Sequence, residues 1–130
     1  MRLDKLIYQV LEATLRNLLL ERWEQVPALA MIAQSSESLR ARAEAFLRRL
    51  NGRGEIREGR SVVGGGSTPE QSLPAWLIAL DCKNVVDAER RCRAANPPVV
   101  ARIEDGTLVF DLRTVFPWEE EELLSVLYSL

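Results

Sequence analysis

The sequence contains no histidine, so it has no imidazole to serve as base, proton shuttle or metal ligand. Cysteine is scarce as well. Cys82 and Cys92 leave a disulfide open, but their spacing matches neither a zinc pattern nor a dense secreted framework. No apolar run reaches the length of a membrane-crossing helix. Neither sign of charge dominates: 17 basic and 19 acidic side chains leave a net charge of -2. That balance excludes a global attraction to nucleic acid or anionic membrane and leaves room only for a local basic patch. Met1 is followed at once by Arg2, Asp4 and Lys5, so no secretory leader is expected and a reducing cytoplasm is the simplest setting.

What is present fits one globular domain. A chain of 130 residues with 47% hydrophobic and 28% charged side chains can bury one core but not two independent ones. Leu3 to about Leu20 reads as a long helix, with Ile7, Leu11, Leu15 and Leu18 on one stripe. That stripe has little to bury against in so small a domain and suits docking on another domain or subunit. Pro27 suits the first turn of a short helix. Ser35 or Ser36 can cap a third, whose stripe is Leu39, Ala43, Phe46, Leu47 and Leu50, and Asn51-Gly52 ends it.

The pattern then changes. Glu55 to Arg60 reads as extended and Trp76 to Leu80 as a buried strand. Asn84 or Asp87 starts a helix that Asn96-Pro97-Pro98 stops. Val99–Ile103 and Thr107–Phe110 flank Asp105-Gly106, a pair that tolerates the positive backbone angles of a tight hairpin. Pro117 opens a last helix with glutamates in its first turns. The expected class is α+β: a small mixed or antiparallel sheet packed against helices, preceded by a long amino-terminal helix. Residues 1–130 are expected to form one domain, with 1–52 its helical segment and 53–130 its sheet-containing core.

Few residues suggest chemistry. Gly64-Gly65-Gly66-Ser67 permits close backbone approach and exposed amides that can cradle an anion, yet it lacks the Lys-Ser/Thr of a nucleotide loop. It reads either as a structural turn or as a loop reaching a site or interface. Arg102 and Arg113 carry planar forks suited to carboxylate or phosphate, and equally to surface ion pairs. Arg90, Arg91 and Arg93, beside Lys83, make either a solvated helix face or an RNA contact. Trp23, Trp76 and Trp118 read as core or interface aromatics. No metal-binding or acid–base constellation is visible.

Several segments together carry a resemblance. Arg2-Leu3-Asp4-Lys5, Leu11-Glu12-Ala13-Thr14-Leu15-Arg16, Ser38-Leu39-Arg40-Ala41-Arg42-Ala43 and Val63-Gly64-Gly65-Gly66-Ser67 occur in order. So do Pro97-Pro98-Val99-Val100-Ala101-Arg102-Ile103-Glu104-Asp105-Gly106 and Asp111-Leu112-Arg113-Thr114-Val115. Spanning nearly the whole chain, they resemble the part of bacterial selenocysteine synthases, the L-seryl-tRNA(Sec) selenium transferases, that follows the large catalytic domain.

The resemblance implies the small domain of a fold-type I, aminotransferase-like enzyme that uses pyridoxal phosphate (PLP) to turn seryl-tRNA(Sec) into selenocysteinyl-tRNA(Sec) with selenophosphate. It implies a homo-oligomer whose active sites involve neighbouring subunits. The family's cofactor lysine lies upstream of the Arg2-Leu3-Asp4-Lys5 motif, and Lys5 is not that lysine. The expectation is therefore a non-catalytic fragment or partner domain that binds no PLP alone and works with the large domain or neighbouring subunits. Arg2 corresponds to a donor-side arginine and is the first site candidate. Arg102 and Arg113 match characteristic positions and are candidates for substrate binding through an anion, or for a structural role; the Gly64-Gly65-Gly66-Ser67 loop matches by motif, and no metal, DNA or membrane partner is expected. The alternatives are a free-standing binding or oligomerisation module, and the small domain of a related PLP enzyme with another substrate.

Overall fold

The computed structural model describes residues 4–63 and 72–130. The chain divides into two compact units, one ending at Gln34 and the other running from Ser35 to Leu130.

The first unit holds α1 (Lys5–Leu19), a 3-10 turn (Trp23–Gln25) and α2 (Pro27–Ala33). Its 3.6-residue pattern makes α1 a helix, and Glu12 and Arg16, four apart, pair at 2.5 Å on its polar side. Yet α1 buries none of its residues, and Leu6, Tyr8, Val10 and Leu19 are all exposed. Pro27 occupies the first turn of α2, where its missing N–H costs no helical bond.

The second unit opens with α3 (Ser36–Arg49), capped by Ser35, whose hydroxyl oxygen accepts from the Ser38 amide at 3.1 Å. Asn51 and Gly52 take positive φ of 54° and 72°, and their amides return to the carbonyls of Arg48 and Leu47 to close the helix. Then follow β1 (Glu55–Val62), β2 (Ser72–Leu80), α4 (Val85–Ala94), β3 (Arg102–Glu104), β4 (Thr107–Asp111) and α5 (Glu120–Tyr128). The described strands form one antiparallel sheet in the order β1-β2-β4-β3. Gly59 lets β1 pass close to its neighbour, because a Cβ there would lie 2.7 Å from Leu77 Cγ. Asp105 and Gly106 form the β3–β4 turn with φ of 49° and 74°, as their residue types predict.

Strand parity places the core. Ile56, Ile78 and Phe110 are register partners, as are Leu80 and Leu108. This face joins Ala43 and Phe46 of α3 and Leu50 just after it, Cys92 of α4 and Leu123 and Leu127 of α5 in one buried cluster. Residues of opposite parity, Ala75, Leu77, Ala79 and Val109, group with Leu39. Since α3 puts its stripe into the same core as the sheet, the sheet-bearing unit begins at Ser35.

Two elements are shorter than the sequence suggests. Val99 to Ala101 stay outside the ladder, and only Arg102–Glu104 pair with β4. A competing bond is the reason: the Val99 amide donates to Cys92 O at 2.9 Å, tying the segment after Pro97-Pro98 to α4 instead. At Pro117 the chain makes a 3-10 turn to Glu119 before α5 begins, and the Glu119 carboxylate accepts from the Phe116 amide at 2.9 Å. No described helix is long and apolar enough to cross a membrane.

Candidate functional site at the stems of the triple-glycine loop

Arg2 and Gly64-Gly65-Gly66-Ser67 lie outside the described residues. The stems of the loop are described, and three arginines meet there. Arg60, near the end of β1, donates to Ser72 Oγ at 2.5 Å and Ser72 O at 3.1 Å, joining the last turns of β1 to the first residue of β2. Arg113 follows β4 in a 3-10 turn (Leu112–Thr114) and is only 4% exposed. Its Nε donates to Ser61 Oγ at 3.0 Å and its Nη2 to Pro74 O at 2.9 Å. Ser61 in turn donates to Asp111 Oδ2 at 2.5 Å, and Asp111 Oδ1 accepts from the Arg113 amide at 3.0 Å. A buried guanidinium is tolerable only when its donors are matched, and these bonds cross between β1, β2 and the end of β4.

Arg102 is placed differently. Its side chain is 41% exposed, pairs with Glu104 at 3.2 Å and reaches Arg60 O only at 3.4 and 3.5 Å. With Ser61, Asp111, Thr114, Glu119 and Glu122 it forms the polar side of a cavity of about 580 Å³, whose apolar side includes Val99 and Phe110. That volume and lining suit a small ligand or an inserted side chain. Of the two sequence-chosen arginines, Arg102 is the partly exposed one, paired with Glu104 at the cavity's edge, whereas Arg113 is committed to holding the stems.

Arg42 was not singled out from the sequence. It donates to Leu112 O at 3.1 Å and Val115 O at 2.9 Å and pairs with Glu120 at 2.7 Å, bracing the segment that carries Arg113. Its position beside the apolar stripe of α3, within Ser38–Ala43, was the available signal. The other candidates resolve by contact. Arg90 pairs with Asp87 and Arg93 with Glu89 along α4. Trp76 is half-buried against the core beneath the Arg40 guanidinium, 4.6 Å from its ring centroid, while Trp118 stacks on Phe116 at 4.5 Å and stays exposed. Both cysteines are free thiols, and burial pushes each above its ordinary pKa, which keeps them protonated and poorly nucleophilic near neutrality. Among the described residues no cluster of three or more His, Cys, Asp or Glu is placed to hold a metal.

Fold and site together define an α+β domain in which Arg60 and Arg113 tie the end of β1 to the start of β2 beside a ligand-sized cavity. A family model described as L-seryl-tRNA selenium transferase matches residues 1–116, and the chain belongs to that family. It is 35% identical to the L-seryl-tRNA(Sec) selenium transferase of Aquifex aeolicus, an alignment covering 100% of this chain and 30% of the relative. Identity to the enzyme of that name from Geobacter sulfurreducens is 41%, over 99% of this chain and 30% of the relative. For Wolinella succinogenes the figure is 37%, over 98% and 29%. The chain thus spans about 30% of the length of the curated relatives it matches.

The described residues do not fit a pyridoxal-phosphate site. The sequence has two lysines, Lys5 and Lys83, and both are exposed. Lys83 borders a cleft, but that cleft is lined by no aromatic ring that could stack on a pyridine.

Proposed function

We propose that this chain works within an L-seryl-tRNA(Sec) selenium transferase, as a small domain that shapes the ligand-facing side and leaves cofactor chemistry to the larger part of the enzyme. The observation that carries this reading is the end-to-end match to about 30% of the length of such enzymes. The exposure of both lysines is consistent with it. The reaction replaces the hydroxyl of a tRNA-bound serine with selenium from selenophosphate, and pyridoxal phosphate supplies the electron sink in the complete enzyme. A tRNA substrate sets this work in the cytoplasm, with the large domain or neighbouring subunits as partners. In this reading Arg2 serves the donor side and Arg102 offers its exposed fork to an anion. Arg113 holds together the strand ends that flank Gly64–Ser67 in the sequence.

The test mixes the chain with the remaining domains of a relative and measures selenocysteinyl-tRNA formation. Activity is expected only from the mixture, falling when Arg2→Ala replaces the parent chain. Equal activity with Arg2→Ala would remove Arg2 from the site. Seryl-tRNA conversion by the chain alone, with pyridoxal phosphate absorbance surviving dialysis, would overturn the non-catalytic reading.

A second reading, a free-standing binding or oligomerisation module, is favoured by the uncovered stripe of α1. Sedimentation separates the two. A stable self-associated state that ignores the missing domains supports the module.

A further inference from the structure

The cavity beside β4 opens where a ladder stops short. Arg102 faces Val109 in the β3–β4 register, so two more pairs would set Ala101 against Phe110 and Val100 against Asp111. The chain bends to α4 instead, through the bond from the Val99 amide to Cys92 O. The two sides of the split, Val99 and Val100 on one and Phe110 and Asp111 on the other, line the space of about 580 Å³. Phe110 and Leu123, almost fully buried, make its apolar floor. Its mouth is apolar as well, because Val62 and Val100 also line it and are 58% and 73% exposed. Bare valines beside a concavity are surface that a covering partner removes from water.

The charge around this apolar surface is one-sided. Four glutamates run from Glu119 to Glu122. Glu120 pairs with Arg42 at 2.7 Å, and Glu121 pairs with Arg49. Glu119 and Glu122, three apart and so neighbours on the helix surface, both line the cavity, and no ion pair matches either. Glu119 gives one oxygen to the Phe116 amide, and Asp111, the third lining carboxylate, is taken by Ser61 and the Arg113 amide. Among the described lining residues Arg102 is the one cation, and it already pairs with Glu104 at 3.2 Å. The helix dipole explains why acids gather at the start of α5. It does not explain why arginines match two of the four while the other two face an apolar cavity.

We infer that this cavity docks an extended polypeptide segment, which sets a lysine or arginine against Glu119 and Glu122 and lays aliphatic neighbours over Val62 and Val100. The cationic end answers the two unpaired carboxylates, and the long apolar stem of such a side chain suits the wall it crosses. Val62 and Val100 come from different segments of the chain, so covering both takes a length of polypeptide and not a small amine. The missing ladder partners of Val100 and Ala101 favour an extended form for it. The same carboxylates repel a nucleic-acid backbone. The inference therefore takes nothing from the transferase reading and can fail without it.

The test uses the full chain, isotope-labelled, with an end-blocked octapeptide of alternating valine and lysine as the probe. The peptide is expected to shift the amides of Val100, Phe110 and Glu122, and the same peptide with glutamate in place of lysine to leave them unmoved. Glu119→Gln combined with Glu122→Gln, which keeps an oxygen for the Phe116 amide, weakens binding about tenfold. Val100→Ser, at an exposed position, weakens it about threefold. Glu121→Gln, in the same turn but off the cavity, leaves affinity unchanged. Glu122→Asp keeps most of the affinity that Glu122→Gln loses, which separates lost charge from lost folding. No shift with the lysine peptide, equal binding of the glutamate peptide, or an equal loss with Glu121→Gln overturns the inference. So does n-butylammonium moving these amides when the peptide does not, which assigns the cavity to a small organic cation. Concentration-dependent shifts of the same amides without peptide also overturn it, by assigning the cavity to a second copy of the chain.

Discussion

Helices α1 and α3 are built on the same grammar and end differently. Both are of similar length and carry an apolar stripe at three- and four-residue steps. In α3, Leu39, Ala43 and Phe46 are buried, with Leu50 just beyond, whereas α1 buries nothing. The contrast teaches that periodicity specifies a helix and a face but says nothing of what covers the face. Tertiary packing supplies most of a helix's stability, so the two helices should respond to mutation on different scales.

The widest separation is expected in the stripes themselves. Phe46→Ala should cost about 3–5 kcal/mol in urea unfolding, because it empties a fully buried site. Leu11→Ala in α1 should change stability by less than about 0.5 kcal/mol, since the side chain is 48% exposed and alanine is the better helix former. A large loss at Leu11 would mean that the stripe is already covered in solution.

The two candidate arginines extend the comparison to polar groups. Arg113→Ala removes a buried, charge-assisted set of bonds and should cost about 2–3 kcal/mol. Arg102→Ala should stay within about 0.5 kcal/mol, because its pairing is exposed. Equal melting losses for the two would deny Arg113 its stapling role. Next comes Gly59→Ala, expected to cost about 1–3 kcal/mol because the new Cβ collides with Leu77. Removing the α3 cap with Ser35→Ala should cost about 1 kcal/mol.

The Ser35 change carries a pH signature too. Hydrogen bonds to its own backbone amide and to Ser35 hold the Glu37 carboxyl below its ordinary value. A depressed carboxyl pKa stabilises above the unfolded value and loses that contribution as pH falls through the folded one. In the Ser35→Ala chain, the Glu37 carbon resonance should therefore titrate at higher pH than in the parent.

Local features were legible wherever neighbouring residues decide them. Ser35 and Asn84 act as caps, Asp105-Gly106 turns the hairpin, and Pro27 opens α2 because each choice is settled within a few residues. The order of helices and strands followed. The strand expected over Val99–Ile103 shortened because its first amide found a partner on α4, a competition no local pattern displays. The site was legible in parts only. Arg102 and Arg113 stood out as forks near strand ends, but nothing nearby told them apart.

By itself the sequence determined the elements, their apolar faces and the ordered motifs that place the chain in its family, because these are written in spacing and residue type. Tertiary structure alone decided which faces are covered and which charges are matched. It brought Ser61 within bonding reach of Arg113, 52 positions away, and left Glu119 and Glu122 without a cation on one cavity. The physical reason is that burial and ion pairing depend on separation in space, and a sheet ordered β1-β2-β4-β3 joins residues that the chain keeps far apart.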